Sequence, residues 1–199
     1  MARSSTVCRK IPTVNSAEPA LTVLAWGNES RGDDGAGPII ARRIKALDRR
    51  GIEVIEDLQL HIEHVMDLES DVPVLFVDAS VAIDTGFSIE RIGPIEDNSY
   101  STHTVSPHAL LHLFEKTRKK TAPDAWLLHI CGRSFELGDA VSEATAQYVE
   151  DAWRFLFSEL LAEEIPLVPG WPGNVLGDGI AYPHVGSRKP DSGGPVDRA

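Results

Sequence analysis

LTVLAWGNESRGDDGAGPIIARRIKAL, residues 21–47, decides the fold. Leu21–Trp26 is an unbroken apolar run of strand length, so it reads as a strand buried on both faces. After the loop, Ala36, Ile39, Ile40, Ile44 and Leu47 recur at helical spacing, which predicts an amphipathic helix over 36–48. Between them, Asp33 and Asp34 stand between two glycines, close to the core. Charge there needs a reason, and the candidates are helix capping, a phosphate loop or a metal.

The same alternation continues outward. Ile52–Ile55, Pro73–Val77, Phe87–Ile92 and Trp126–Cys131 read as strands. His61–Glu69 reads as a short helix, and Ser106–Lys119 and Ser142–Leu161 as longer ones. This order predicts an α/β fold with three αβα layers around a central, mainly parallel five-stranded sheet. Residues 1–20 read as a mobile leader, 21–164 as the domain and 165–199 as an irregular tail rich in proline and glycine. The chain of 199 residues is long enough for one well-buried domain. Its formal net charge of −11 argues against nucleic acid or an anionic membrane surface as a partner. No apolar run approaches a bilayer span. Two cysteines, Cys8 and Cys131, form no CxxC pair and fit a reducing cytoplasm.

Ligands of an open parallel sheet sit beyond the C-terminal ends of the strands, where Asp33 and Asp34 fall. Capping by Asp33, with Asp34 favouring the helix's positive end, is one reading. A phosphate cradle fits poorly, because two carboxylates repel phosphate and no GxGxxG or Walker spacing is present. Asp78 closes the apolar third strand, where an unpaired carboxylate is costly, and a turn bond or a cation would explain it. Ser106 and Pro107 head a helix with His108 in its first turn, a position that favours neutral imidazole. Together Asp34, Asp78 and His108 offer two oxygens and one nitrogen, a set that suits a divalent transition metal with open positions.

These residues resemble the nickel–iron hydrogenase maturation endopeptidases. Gly27-Asn28 with Asp33-Asp34-Gly35, then Asp78-Ala79, then Ser106-Pro107-His108 follow that family's order and spacing over roughly residues 21–162. The resemblance makes Asp34, Asp78 and His108 the metal-binding positions. It implies one cut, removing the C-terminal extension of a nickel-loaded hydrogenase large-subunit precursor in the cytoplasm. The nickel would be supplied by the substrate, and other divalent metals can occupy the site. Metal-polarised carbonyl or water, or a carboxylate base at Asp34 or Asp33, would drive hydrolysis. Ala25 replaces a family glycine, and EDLQLHIEH over 56–64 replaces a Gly-Gly-Thr turn.

Asn28 either orients a ligand or shapes the turn, and His103 is read as a supporting or surface group. His61 and His64 read as an exposed helix face, and His129 and Cys131 as core. HALLH, residues 108–112, lacks the glutamate of a zincin helix. The rival functions are a noncatalytic nickel-binding chaperone and a flavodoxin-like ligand-binding protein, the latter disfavoured by the acidic first loop.

Overall fold

The computed structural model describes residues 20–96, 105–159 and 175–176. The elements run β1 (Leu21–Trp26), α1 (Ala36–Ala46), β2 (Ile52–Asp57), β3 (Val74–Ser80), β4 (Phe87–Ile92), α2 (Pro107–Arg118), β5 (Ala125–Cys131), α3 (Glu143–Glu159) and β6 (Val175–Leu176). Two 3-10 turns, Gly32–Gly35 and Ile62–Asp67, stand between them. The sheet order is β2-β1-β3-β5-β4-β6. The first four of these strands are parallel, and β4 runs antiparallel to both β5 and β6.

The layering follows from alternation within apolar strands. Val23, Ala25, Leu75, Val77, Trp126 and Leu128 pack with α1 and α3. Leu24, Phe76 and Leu127 enter the opposite core with Leu110, Leu111 and Phe114 of α2. Both faces are covered, as a parallel sheet requires. An Arg43–Glu150 ion pair fastens α1 to α3. α2 starts on Ser106, whose Oγ accepts from the Ala109 amide at 3.2 Å, with Pro107 in its first turn. It ends on Lys119 in the left-handed conformation, φ 57°.

Three features depart from the sequence expectation. A sixth strand of two residues, β6, adds to β4 from within the expected tail. So short a strand carries no periodicity to read. The expected helix at His61–Glu69 is a 3-10 turn, and His64 is buried rather than exposed. Its Nδ1 accepts the His61 amide at 2.9 Å as a local cap, and its Nε2 lies 3.5 Å from Asp57 Oδ2. The remainder of the tail and the leader before Ala20 lie outside the described residues.

Candidate functional site

The strand order reverses direction between β1 and β3, and this switch point is where an open α/β sheet leaves a crevice. The loop after β1 and the end of β3 both open there. The chain turns back at Gly27, φ 142°, so tightly that a Cβ would lie 2.0 Å from the Asp34 carbonyl oxygen. Only glycine fits. Gly37 likewise lets α1 approach the Trp26 carbonyl, where a Cβ would come within 2.4 Å.

This turn gives the two acids different tasks. Neither caps α1, whose N-cap is Gly35 without a side-chain bond. The Asn28 amide donates to Asp34 Oδ2 at 2.8 Å, while Asn28 Oδ1 accepts from the Ser30 amide at 2.9 Å. Asn28 therefore orients Asp34 through its main chain and shapes the turn through its side chain. Asp33 is fully buried. Its carboxylate accepts the amides of Arg133 and Ser134 on one oxygen and of Ser142 on the other, at 2.8, 2.9 and 2.8 Å. Burial alone would raise its pKa, but these three amides outweigh it and bring the group down to about 2. A carboxylate so committed is a poor proton acceptor and a good anchor. It ties the first loop to the segment between β5 and α3.

Asp33→Ala should therefore destabilise the protein by about 2–4 kcal/mol, because it strands three amides. The pH dependence checks the cause. Asp33 has a depressed folded-state pKa, so its stabilisation is present above about 3.8 and lost as pH falls towards about 2. Urea unfolding of the two proteins should differ at pH 7 and converge in that acid window. A constant difference across it would reject the charged anchor.

Asp78 follows Val77 where β3 leaves the core and is half-buried. Burial first, and the neighbouring Asp34 charge second, raise its pKa to about 7, against a weaker opposing bond from the Ala79 amide. The two acids named from sequence thus feel each other across the switch point. His108 lies on the first turn of α2. Its Nδ1 lies 2.8 Å from the Gly93 carbonyl oxygen, which can only accept, so Nδ1 carries the proton. That leaves the lone pair on Nε2, the arrangement by which a ligating histidine is fixed. His103 lies outside the described residues. Among the described residues, no three histidine, cysteine, aspartate or glutamate side chains are gathered closely enough to hold an ion as they stand.

A cleft of about 390 Å³ lies between the loop after β1 and the end of β2, lined by Asn28, Glu29, Arg42, Glu56, Asp57 and Leu58 among others. Arg42 bridges Glu29 and Glu56 at 2.6 and 2.8 Å. Asn28 is shared between the cleft and the Asp34 carboxylate. Sequence reasoning missed two features here. One is the anchoring of Asp33, whose partners lie about a hundred residues away and leave no local signal. The other is His129, read as core, which is paired in register with Asp78.

The chain's fold is that of hydrogenase maturation proteases. The NiFe hydrogenase maturation protease HycI from Thermococcus kodakarensis KOD1 superposes with a TM-score of 0.56 at 21% identity, covering 74% of this chain and 96% of that one. The hydrogenase maturating endopeptidase HybD from E. coli gives 0.51 at 19%, covering 71% and 91%. HybD from Thermococcus kodakarensis gives 0.52 at 20%, covering 72% and 99%. No protein-family model matches the sequence, and no curated protein matches it by sequence.

Proposed function

We propose that this chain is a hydrogenase maturation endopeptidase. It removes the C-terminal extension of a nickel–iron hydrogenase large subunit and recognises the nickel already loaded in that substrate. The observation that carries the reading is the placement of Asp34, its Oδ2 held by the Asn28 amide, and Asp78 on the two segments that open at the β1/β3 switch point. Two half-buried carboxylates near each other form a place short of positive charge. A divalent cation relieves both the burial and the repulsion. His108, held by Gly93 with Nε2 free, adds the nitrogen. Two oxygens and one nitrogen leave coordination positions open for ligands that the substrate brings with its metal. The likeness to solved maturation proteases supports the same reading.

Asp34 is the better placed general base. Asp33 is spent on main-chain amides, whereas Asp34 Oδ2 receives one amide at 2.8 Å. In this scheme water loses a proton to Asp34 as it adds to the scissile carbonyl, which the substrate's nickel polarises. The new C–O bond forms as the carbonyl π pair moves to oxygen. Collapse then breaks the C–N bond, and the leaving amine takes up the proton. The cleft beside Asn28 would receive the chain next to the cut. Cleavage belongs to the cytoplasm in this reading, and no helix among the described residues is long and apolar enough to cross a membrane.

The test is incubation of the purified protein with nickel-loaded precursor, read by mass spectrometry. A protease releases one C-terminal peptide at catalytic protein concentration. Stoichiometric binding without a shortened precursor would establish a nickel chaperone instead.

A further inference from the structure

β2 ends the sheet, and among the described residues no strand covers its outer edge. The opposite edge is closed by β6 on β4. The Leu21 and Gly27 amides bond the Gly51 and Asp57 carbonyls, and a parallel ladder uses every second residue of the partner strand. Gly51, Glu53, Ile55 and Asp57 therefore spend their main chain on β1, and Ile52, Val54 and Glu56 turn theirs outward. The Ile52 amide folds back to the Arg49 carbonyl. The Val54 and Glu56 amides and the carbonyls of all three have no partner among the described residues.

Such an edge is a template for another strand. No proline, lysine or bulge interrupts β2. Its Ile52, Val54 and Ile55 are half-buried, whereas Val23, Leu24 and Ala25 of neighbouring β1 are buried. Two hollows follow one another on the α1 side of this edge. One, of about 150 Å³, is lined by Ile44, Lys45, Ile52 and Val54 among others. The other is the cleft at Glu56 and Leu58, which reaches Asn28, the residue whose amide holds Asp34. Alternate side chains of an added strand stand about 6.6 Å apart on one face, the same step that separates Val54 from Glu56, so they enter the two hollows in turn.

We propose that the outer edge of β2 receives an extended stretch of the substrate next to the cut as an additional strand, its main chain bonded to Val54 and Glu56 and its alternate side chains in the two hollows. The inference rests on the endopeptidase reading and names the element that aligns the substrate. The edge runs into the cleft beside the Asp34 loop, so a strand bound there leads to the reacting groups. A second copy of the chain fits poorly. Antiparallel pairing of two β2 strands along their whole length sets Glu53 opposite Glu56 twice, and like charges directly opposite are destabilising.

Hydrogen exchange of the full chain, resolved by residue, tests this without a variant. The chain is labelled for seconds alone and under saturating nickel-loaded precursor, so that it stays occupied throughout the pulse. The Val54 and Glu56 amides should exchange about tenfold more slowly with precursor, while those of Glu53 and Ile55, already bonded to β1, change little. Val54→Pro removes one outward amide and spares the bonds to β1, because an edge strand tolerates proline. Its cleavage should show KM raised about tenfold with kcat nearly unchanged. Precursor that is cut with unchanged exchange at Val54 and Glu56 overturns the edge proposal and leaves the endopeptidase reading standing. So does an unchanged KM in folded Val54→Pro. Protection of both amides in the chain alone also overturns it: protection that grows with protein concentration identifies a second copy, and constant protection the chain's own residues. Precursor that is neither bound nor cut overturns both readings. Should Val54→Pro fail to fold, exchange in the native chain decides.

Discussion

His108→Ala should reduce cleavage of nickel-loaded precursor by more than about a hundredfold while leaving the fold intact. Ligand removal takes away the only nitrogen among the three assigned donors, and even groups that merely support a ligand are worth about 10–100-fold. The structural cost is small. The substitution deletes one hydrogen bond, from Nδ1 to the Gly93 carbonyl, worth about 0.5–1.5 kcal/mol. Ser106 and Pro107 still start α2, and Leu110, Leu111 and Phe114 still bury its inner face. Single-turnover cleavage on a gel, beside a thermal melt, separates the two effects. Loss of activity only in proportion to loss of folded protein would show a structural histidine.

Asp78→Asn should make the metal-free protein more stable and the enzyme inactive. The sign follows from the raised pKa. In the unfolded chain Asp78 ionises near 3.8, and in the folded protein near 7. As pH rises between these values the unfolded state loses its proton and the folded state keeps it, so folding is progressively disfavoured. Asparagine removes that penalty and the repulsion from Asp34. A gain of roughly 1–3 kcal/mol at pH 8 is expected, less than the full shift because a buried amide also needs partners. At pH 4 the two proteins should be nearly equal. Nickel binding by the native protein should weaken as pH falls through about 7, because the ion competes with the proton on Asp78. Equal stability of the two proteins at pH 8 would show that Asp78 carries no buried charge.

The parallel core and the order of its elements were legible because the local pattern and the tertiary fold agree. β1 and β4 fall where apolar runs and alternation put them, and α2 begins where serine and proline say it should. The acidic pair and Asp78 could be placed at the C-terminal ends of β1 and β3 from topology alone, whereas His108 is bonded to Gly93, just past the end of β4. What remained hidden depends on contacts between distant segments. Asp33 looks like a cap in sequence, yet its bonds go to residues 133, 134 and 142. His64 is one of a pair of polar ring residues in an exposed-looking stretch, yet its ring turns inward to close a 3-10 turn. His129 fills an apolar strand position and was read as core. Only the β3–β5 register sets it beside Asp78.

The most direct measurement of whether Asp34, Asp78 and His108 read a metal carried by the substrate is a paired cleavage assay. One precursor preparation is divided, one half is loaded with nickel and the other kept nickel-free, and both meet the same protein with no added metal. Release of the C-terminal peptide from the loaded half alone is the expected result. Equal release from both halves would contradict recognition through the substrate's nickel.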